Sequence, residues 1–178
     1  MPRPEPPVVG FAAWSGTGKT TLLVKLLEIL NKRGLRVGVV KHAHHSFDID
    51  TPGKDSYALR KAGASQVLIG SRKRWALIVE APEPGDHPLD FHRRHLDQER
   101  LDLILVEGFK PEKIPKIELH RPSLGRPLLY PDDPGVIAVA TDGRLPGAPT
   151  LPVLDLNNPG QIADFIVDRF LPDIIGSG

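Results

Sequence analysis

The chain has 178 residues, a length that suits one compact domain burying roughly 70% of the surface its unfolded form would expose. It has no cysteine, which excludes disulfides and thiolate metal sites, and no run near the ~20 apolar residues of a membrane helix. With 23 Lys and Arg against 22 Asp and Glu, the chain lacks the broad basic field that gathers nucleic acid. The start, Met1-Pro2-Arg3-Pro4-Glu5-Pro6-Pro7, lacks the basic-then-apolar pattern of a secretory leader, so a cytoplasmic setting is expected.

Short apolar runs alternate with helical patterns, as in βαβ units with a mostly parallel sheet. Residues 8–13 read as a buried strand after a loose start over residues 1–6. Leu22, Leu23, Leu26, Leu27 and Leu30 recur at helical spacing within 20–33, and Gly34 supplies the stop. A strand is expected over 36–40 and a helix over 56–62. Residues 66–70 and 75–80 form two strands around a basic turn, close enough for an antiparallel hairpin.

A short polar helix follows over 92–100, with His87, His92 and His95 in solvent. Residues 101–108 are the strongest central-strand candidate. Lys116-Ile117-Glu118-Leu119-His120 alternates like an edge strand. A loop rich in Pro and Gly covers 121–135, strands follow over 136–140 and 151–154, and a helix over 162–170 closes the chain before a loose tail at 173–178. The expected fold class is α/β: a P-loop NTPase-type, mostly parallel sheet with flanking helices and a β-hairpin extension, in a single nucleotide-binding domain over 1–178.

The chemistry concentrates at Ala13-Trp14-Ser15-Gly16-Thr17-Gly18-Lys19-Thr20-Thr21, between the first strand and the first helix. This is the Walker A pattern except that Ala13 replaces the first glycine. Ser15, Gly16, Thr17, Gly18 and Thr21 would turn backbone N–H groups onto phosphate oxygens, helped by the positive end of the helix. Lys19 would reach the β- and γ-phosphates, and the Thr20 hydroxyl would bind Mg²⁺.

A P-loop also needs an acid at the end of a neighbouring strand to hold the metal. Glu107 ends the most apolar run and is that candidate, with Lys19 the second catalytic residue. Asp102 begins the same run and would lie at the wrong edge. Thr141-Asp142 follows a late strand where guanine readers stand, and the Asp142 carboxylate could accept from guanine N1 and N2. A plain Asp-Gly turn explains the same residues.

After the second strand comes Lys41-His42-Ala43-His44-His45-Ser46-Phe47-Asp48-Ile49-Asp50. Loops at this end of a doubly wound sheet line the ligand crevice. His42 and His44 are expected to contact ligand and Asp50 to join the metal; an ordinary polar loop explains the same residues. The histidines alternate in direction, which does not favour a converging zinc site.

Taken together, residues 11–21, Lys41-His42-Ala43-His44-His45 and Asp50-Thr51-Pro52-Gly53-Lys54-Asp55-Ser56-Tyr57 closely resemble the MobB family of molybdopterin-guanine dinucleotide biosynthesis adaptor proteins. The resemblance continues through 59–64, 74–77, 101–110 and 136–142, and Ala13 is shared with that family. Residues 82–98 and 121–135 match least. The resemblance implies a GTP-binding protein with Mg²⁺ and weak GTPase activity. It also implies a homodimer, and an acceptor side where Lys54, Arg60 and Lys61 face the anionic pterin or its guanylyl-transferring enzyme. No glutamine is placed to orient water and no arginine finger is assignable, which agrees with slow hydrolysis. Two rivals remain open: a P-loop kinase of a small metabolite, for which 121–126 holds too few arginines to make a lid, and a metallochaperone GTPase using 42–45.

Overall fold

The computed structural model describes residues 5–43, 47–81, 85–147 and 149–172. Two compact units divide the chain: Met1–His42 with Pro88–Gly178, and Ala43–His87.

The first unit holds an all-parallel sheet of six strands in the order β2-β5-β1-β6-β7-β8. Its strands are β1 (Val8–Ala13), β2 (Val37–Lys41), β5 (Leu103–Glu107), β6 (Lys116–His120), β7 (Val136–Thr141) and β8 (Val153–Asp155). β5 reads Leu-Ile-Leu-Val because both of its faces are covered. Leu103 and Leu105 join the larger core beneath helices α1 (Lys19–Lys32) and α4 (Pro159–Phe170). Ile104 and Val106 point to the opposite cluster with Val40, Leu89 and Phe109.

Helix α1 buries Leu22, Leu23, Leu26 and Leu30. It ends in a Schellman turn, where Leu35 N–H donates to Leu30 O and Gly34 N–H to Asn31 O. Helix α4 begins three residues earlier than its apolar spacing implies: Pro159 takes the first turn and the Asn158 side chain accepts from Gln161 N–H at 3.1 Å. In place of one helix over 92–100 there are a short helix α3 (Leu89–Arg93) and a 3₁₀ turn at Gln98–Arg100. His92 and His95 are not simply in solvent, because both rings pack near Phe91 and His92 also meets Phe109. Glu5 pairs with Arg93 and Pro6 is buried, so the start of the described chain is tied down.

β6 is not an edge strand. It lies between β1 and β7 with all five residues buried. Its charges are answered by the following loop: Lys116 Nζ lies 2.8 Å from Asp133, and Glu118 accepts from Leu129 N–H and Tyr130 N–H, each at 2.8 Å. An alternation that looks solvent-facing is thus a buried polar row with its partners supplied from far along the chain.

The second unit contains helix α2 (Asp55–Lys61) and the antiparallel hairpin β3 (Gln66–Gly70) with β4 (Trp75–Val79).

Candidate functional site

Strand β1 delivers its carboxyl end to residues 14–18, and Lys19 opens α1. Gly18 caps the helix at φ +92°, a left-handed conformation that an L side chain rarely adopts. No side chain caps this helix and its first turn holds no acid. Its first N–H donors and the positive helix end are therefore left for an anion. Thr17 is buried and pins the loop, its hydroxyl donating to Trp14 O at 2.7 Å. Trp14 is fixed in turn, its indole N–H donating to Pro127 O at 2.8 Å. Ser15, Gly16, Thr20 and Thr21 are exposed, so the Thr20 hydroxyl can be reached by a metal.

Register places Glu107 of β5 level with Phe11 of β1 on one side and Lys41 of β2 on the other. Its carboxylate lies 3.7 Å from Lys19 Nζ and 3.8 Å from Lys41 Nζ. Burial pushes the Lys19 ammonium below the ordinary lysine range; Glu107 opposes that shift, while Lys110 and Lys41 add to it. A half-buried lysine among further cations is primed for a polyanion. Asp102, at the far end of β5, is held by Arg36 through its backbone N–H at 2.7 Å and its guanidinium at 3.1 and 3.2 Å. It is a structural ion pair.

Behind Glu107 the chain turns at Gly108, φ +93°, where a Cβ would stand 3.0 Å from His42 O. His42 N–H donates to Glu107 O at 2.8 Å, and its ring lies 5.1 Å from that of Phe109. The structure thus brings Lys19, Glu107 and His42 together. His44 and His45 lie outside the described residues.

Asp142 follows β7, and its carboxylate accepts from the Arg121 guanidinium. Arg121, just after β6, also donates through Nε to Thr17 O in the P-loop at 2.8 Å. The sequence offered Arg121 only as part of the 121–126 loop weighed as a kinase lid, because its two partners lie 104 and 21 positions away. Neither Lys110 nor Arg126 was assigned a place beside the P-loop; their charges stand 5.2 and 5.7 Å from the Trp14 ring centroid.

Four expected residues, Asp50, Lys54, Arg60 and Lys61, belong to the second unit. Asp50, expected at the metal, is nearly buried and receives Arg60 through Nε at 3.2 Å and Nη2 at 2.7 Å. Arg60 also pairs with Asp48 at 2.8 Å and Glu80 at 2.9 Å, so it is committed to three carboxylates. Lys54 is exposed just before α2.

The sequence profile described as molybdopterin guanine dinucleotide synthesis protein B, MobB, matches residues 8–142. This chain belongs to the MobB family. The matched range opens at the first residue of β1 and closes at Asp142, so it contains the whole arrangement just described. The molybdopterin-guanine dinucleotide biosynthesis adapter protein of Escherichia coli is 52% identical over 163 residues, covering 91% of this chain and 92% of its own. Its namesake from Haemophilus influenzae is 48% identical over 160 residues, covering 90% and 87%. The crystal structure of a MobB homologue from Bacillus stearothermophilus superposes with a TM-score of 0.66 at 26% identity, over 92% of this chain and 97% of its own. The parallel sheet and its P-loop are therefore the MobB fold.

Proposed function

We propose that this chain is a GTP-binding adapter that assists assembly of molybdopterin guanine dinucleotide. The observation that carries the reading is the uncapped start of α1, with Lys19 resting against Glu107. It is supported by the names of the MobB relatives. Backbone N–H groups of residues 15–21 hold the triphosphate, and Lys19 exchanges Glu107 for the β- and γ-phosphates. Thr20 and Glu107 hold Mg²⁺, which would screen the phosphate charge. The donor set fits this use: an exposed hydroxyl stands in the first turn of α1, which follows β1, and a carboxylate ends β5, the strand beside β1.

Asp142 reads the guanine edge, and His42 lies beside Glu107 on the acceptor side. Asp50 is left to Arg60, and Lys54 remains a candidate contact for the pterin or the guanylyl-transferring enzyme. Hydrolysis is slow, on the order of 10⁻⁴ to 10⁻² s⁻¹ as for unassisted GTPases. The chain works in the cytoplasm as a homodimer of single nucleotide-binding domains.

Calorimetry with Mg-GTP tests the central claim. Lys19→Ala is expected to lose about 2–5 kcal/mol of binding, because triphosphate charge is left unpaired. Affinity equal to that of the wild type would refute it.

A further inference from the structure

Arg121 has no role in the reading above, yet it touches both ends of the site. It lies directly after β6, the strand beside β1, so it emerges next to the phosphate loop. Its Nε donates to Thr17 O at 2.8 Å, and Nη1 donates to Asp142 Oδ2. Nη2 stands 3.6 Å from the point a Cβ on Gly18 would occupy. Thr17 and Gly18 shape the cradle, and Asp142 is the base reader of the proposed GTP site. One planar guanidinium thus spans the loop that holds phosphate and the carboxylate that reads the base.

We propose that Arg121 is a positioning residue that ties Asp142 to the P-loop, so that guanine recognition and triphosphate binding are set by one side chain. This inference rests on the GTP-binding reading. The chemistry favours arginine: its rigid fork makes two directed bonds at once, whereas lysine is a single point charge on a flexible stem. Asp142 takes only its Oδ2 to this pair, and Oδ1 receives no hydrogen bond from a described residue. That oxygen is available to guanine N1 and N2 while Arg121 holds the other.

The test measures Kd for Mg-GTP, Mg-ATP and inorganic triphosphate by calorimetry, with the melting temperature of each full-length protein. Wild type, Arg121→Ala, Arg121→Lys, Asp142→Asn and the Arg121→Ala/Asp142→Asn double variant are compared. Arg121→Ala is expected to weaken GTP by about tenfold or more, as for a charged hydrogen bond. It should also narrow the preference for GTP over ATP as far as Asp142→Asn does. The double variant should discriminate no worse than either single change, because both break one link. Arg121→Lys should regain triphosphate affinity but not base preference.

If Arg121→Ala melts lower yet keeps the wild-type preference for GTP, Arg121 is only a brace for the fold and the inference fails. Should Arg121→Ala not fold, Arg121→Lys decides, and a full wild-type preference overturns the proposal. Unchanged preference in Asp142→Asn, with GTP binding intact, removes Asp142 from base reading and ends the coupling. Wild-type protein that binds no GTP overturns the nucleotide reading and this inference together.

Discussion

Glu107 owes its place to two neighbours, a strand that is apolar up to its last residue and a glycine that lets the chain turn away immediately. Gly108 has no strain-free replacement: its φ is +93°, and a Cβ there would press on His42 O at 3.0 Å. Gly108→Ala is expected to cost about 1–3 kcal/mol, from the left-handed backbone and the displaced carbonyl. Urea unfolding measures that cost, and an unshifted midpoint would mean that the His42 turn yields freely. At the same scale, Glu118 shows why a charge pattern is an unreliable guide to exposure. Its burial pushes the carboxyl above the usual range, against two backbone N–H donors that pull it down. Those donors belong to residues 129 and 130, 11 and 12 positions on and beyond the strand itself, where no periodic pattern signals the return of the loop.

At the scale of elements, the second unit leans on one guanidinium. Arg60 on α2 gathers Asp50, Asp48 and Glu80, and its bond to Asp50 holds that carboxyl below its ordinary value. A depressed acid stabilises the folded form at pH above its unfolded value, and the contribution disappears as pH falls through the lower, folded value. Hydrogen-exchange protection of described amides in 43–87, measured against the intrinsic rate at each pH, is therefore expected to fall below about pH 4. In Arg60→Leu that protection should be weaker at neutral pH and less sensitive to acid. Acid response equal in both proteins would remove Arg60 from this role. The sequence predicted α2 and the hairpin nearly to the residue, because each is a local pattern with turn signals at its ends. It did not predict that Arg60 and Asp50, expected to serve ligand and metal, would be each other's partners. Such pairing depends on how the helix meets the preceding loop.

On the scale of the whole molecule, the hairpin is the least self-sufficient part. Leu68 and Trp75 are each 68% exposed, and Leu77 and Val79 add to the apolar surface. An isolated two-stranded ribbon is marginal in water, and an exposed apolar edge invites a second strand. Sedimentation is expected to find a dimer at micromolar concentration, and the double change Leu68→Glu with Trp75→Glu should shift it toward monomer. A dimer indifferent to that change would place the interface elsewhere. Among the described residues no helix is long and apolar enough to cross a membrane.

The amino-acid sequence determined the alternation of strand and helix, the phosphate loop, and the acid that ends β5. Each depends on residues within one or two turns of chain, where side-chain spacing and glycine conformation act directly. Only the tertiary structure decided that β6 is interior, that the loop after it folds back on Trp14 and Glu118, and that Arg121 bridges Thr17 to Asp142. Those contacts join residues separated by 11 to 113 positions. A charged side chain looks the same in sequence whether its partner is water or a distant carbonyl. Burial makes the difference, and burial is a property of the assembled sheet.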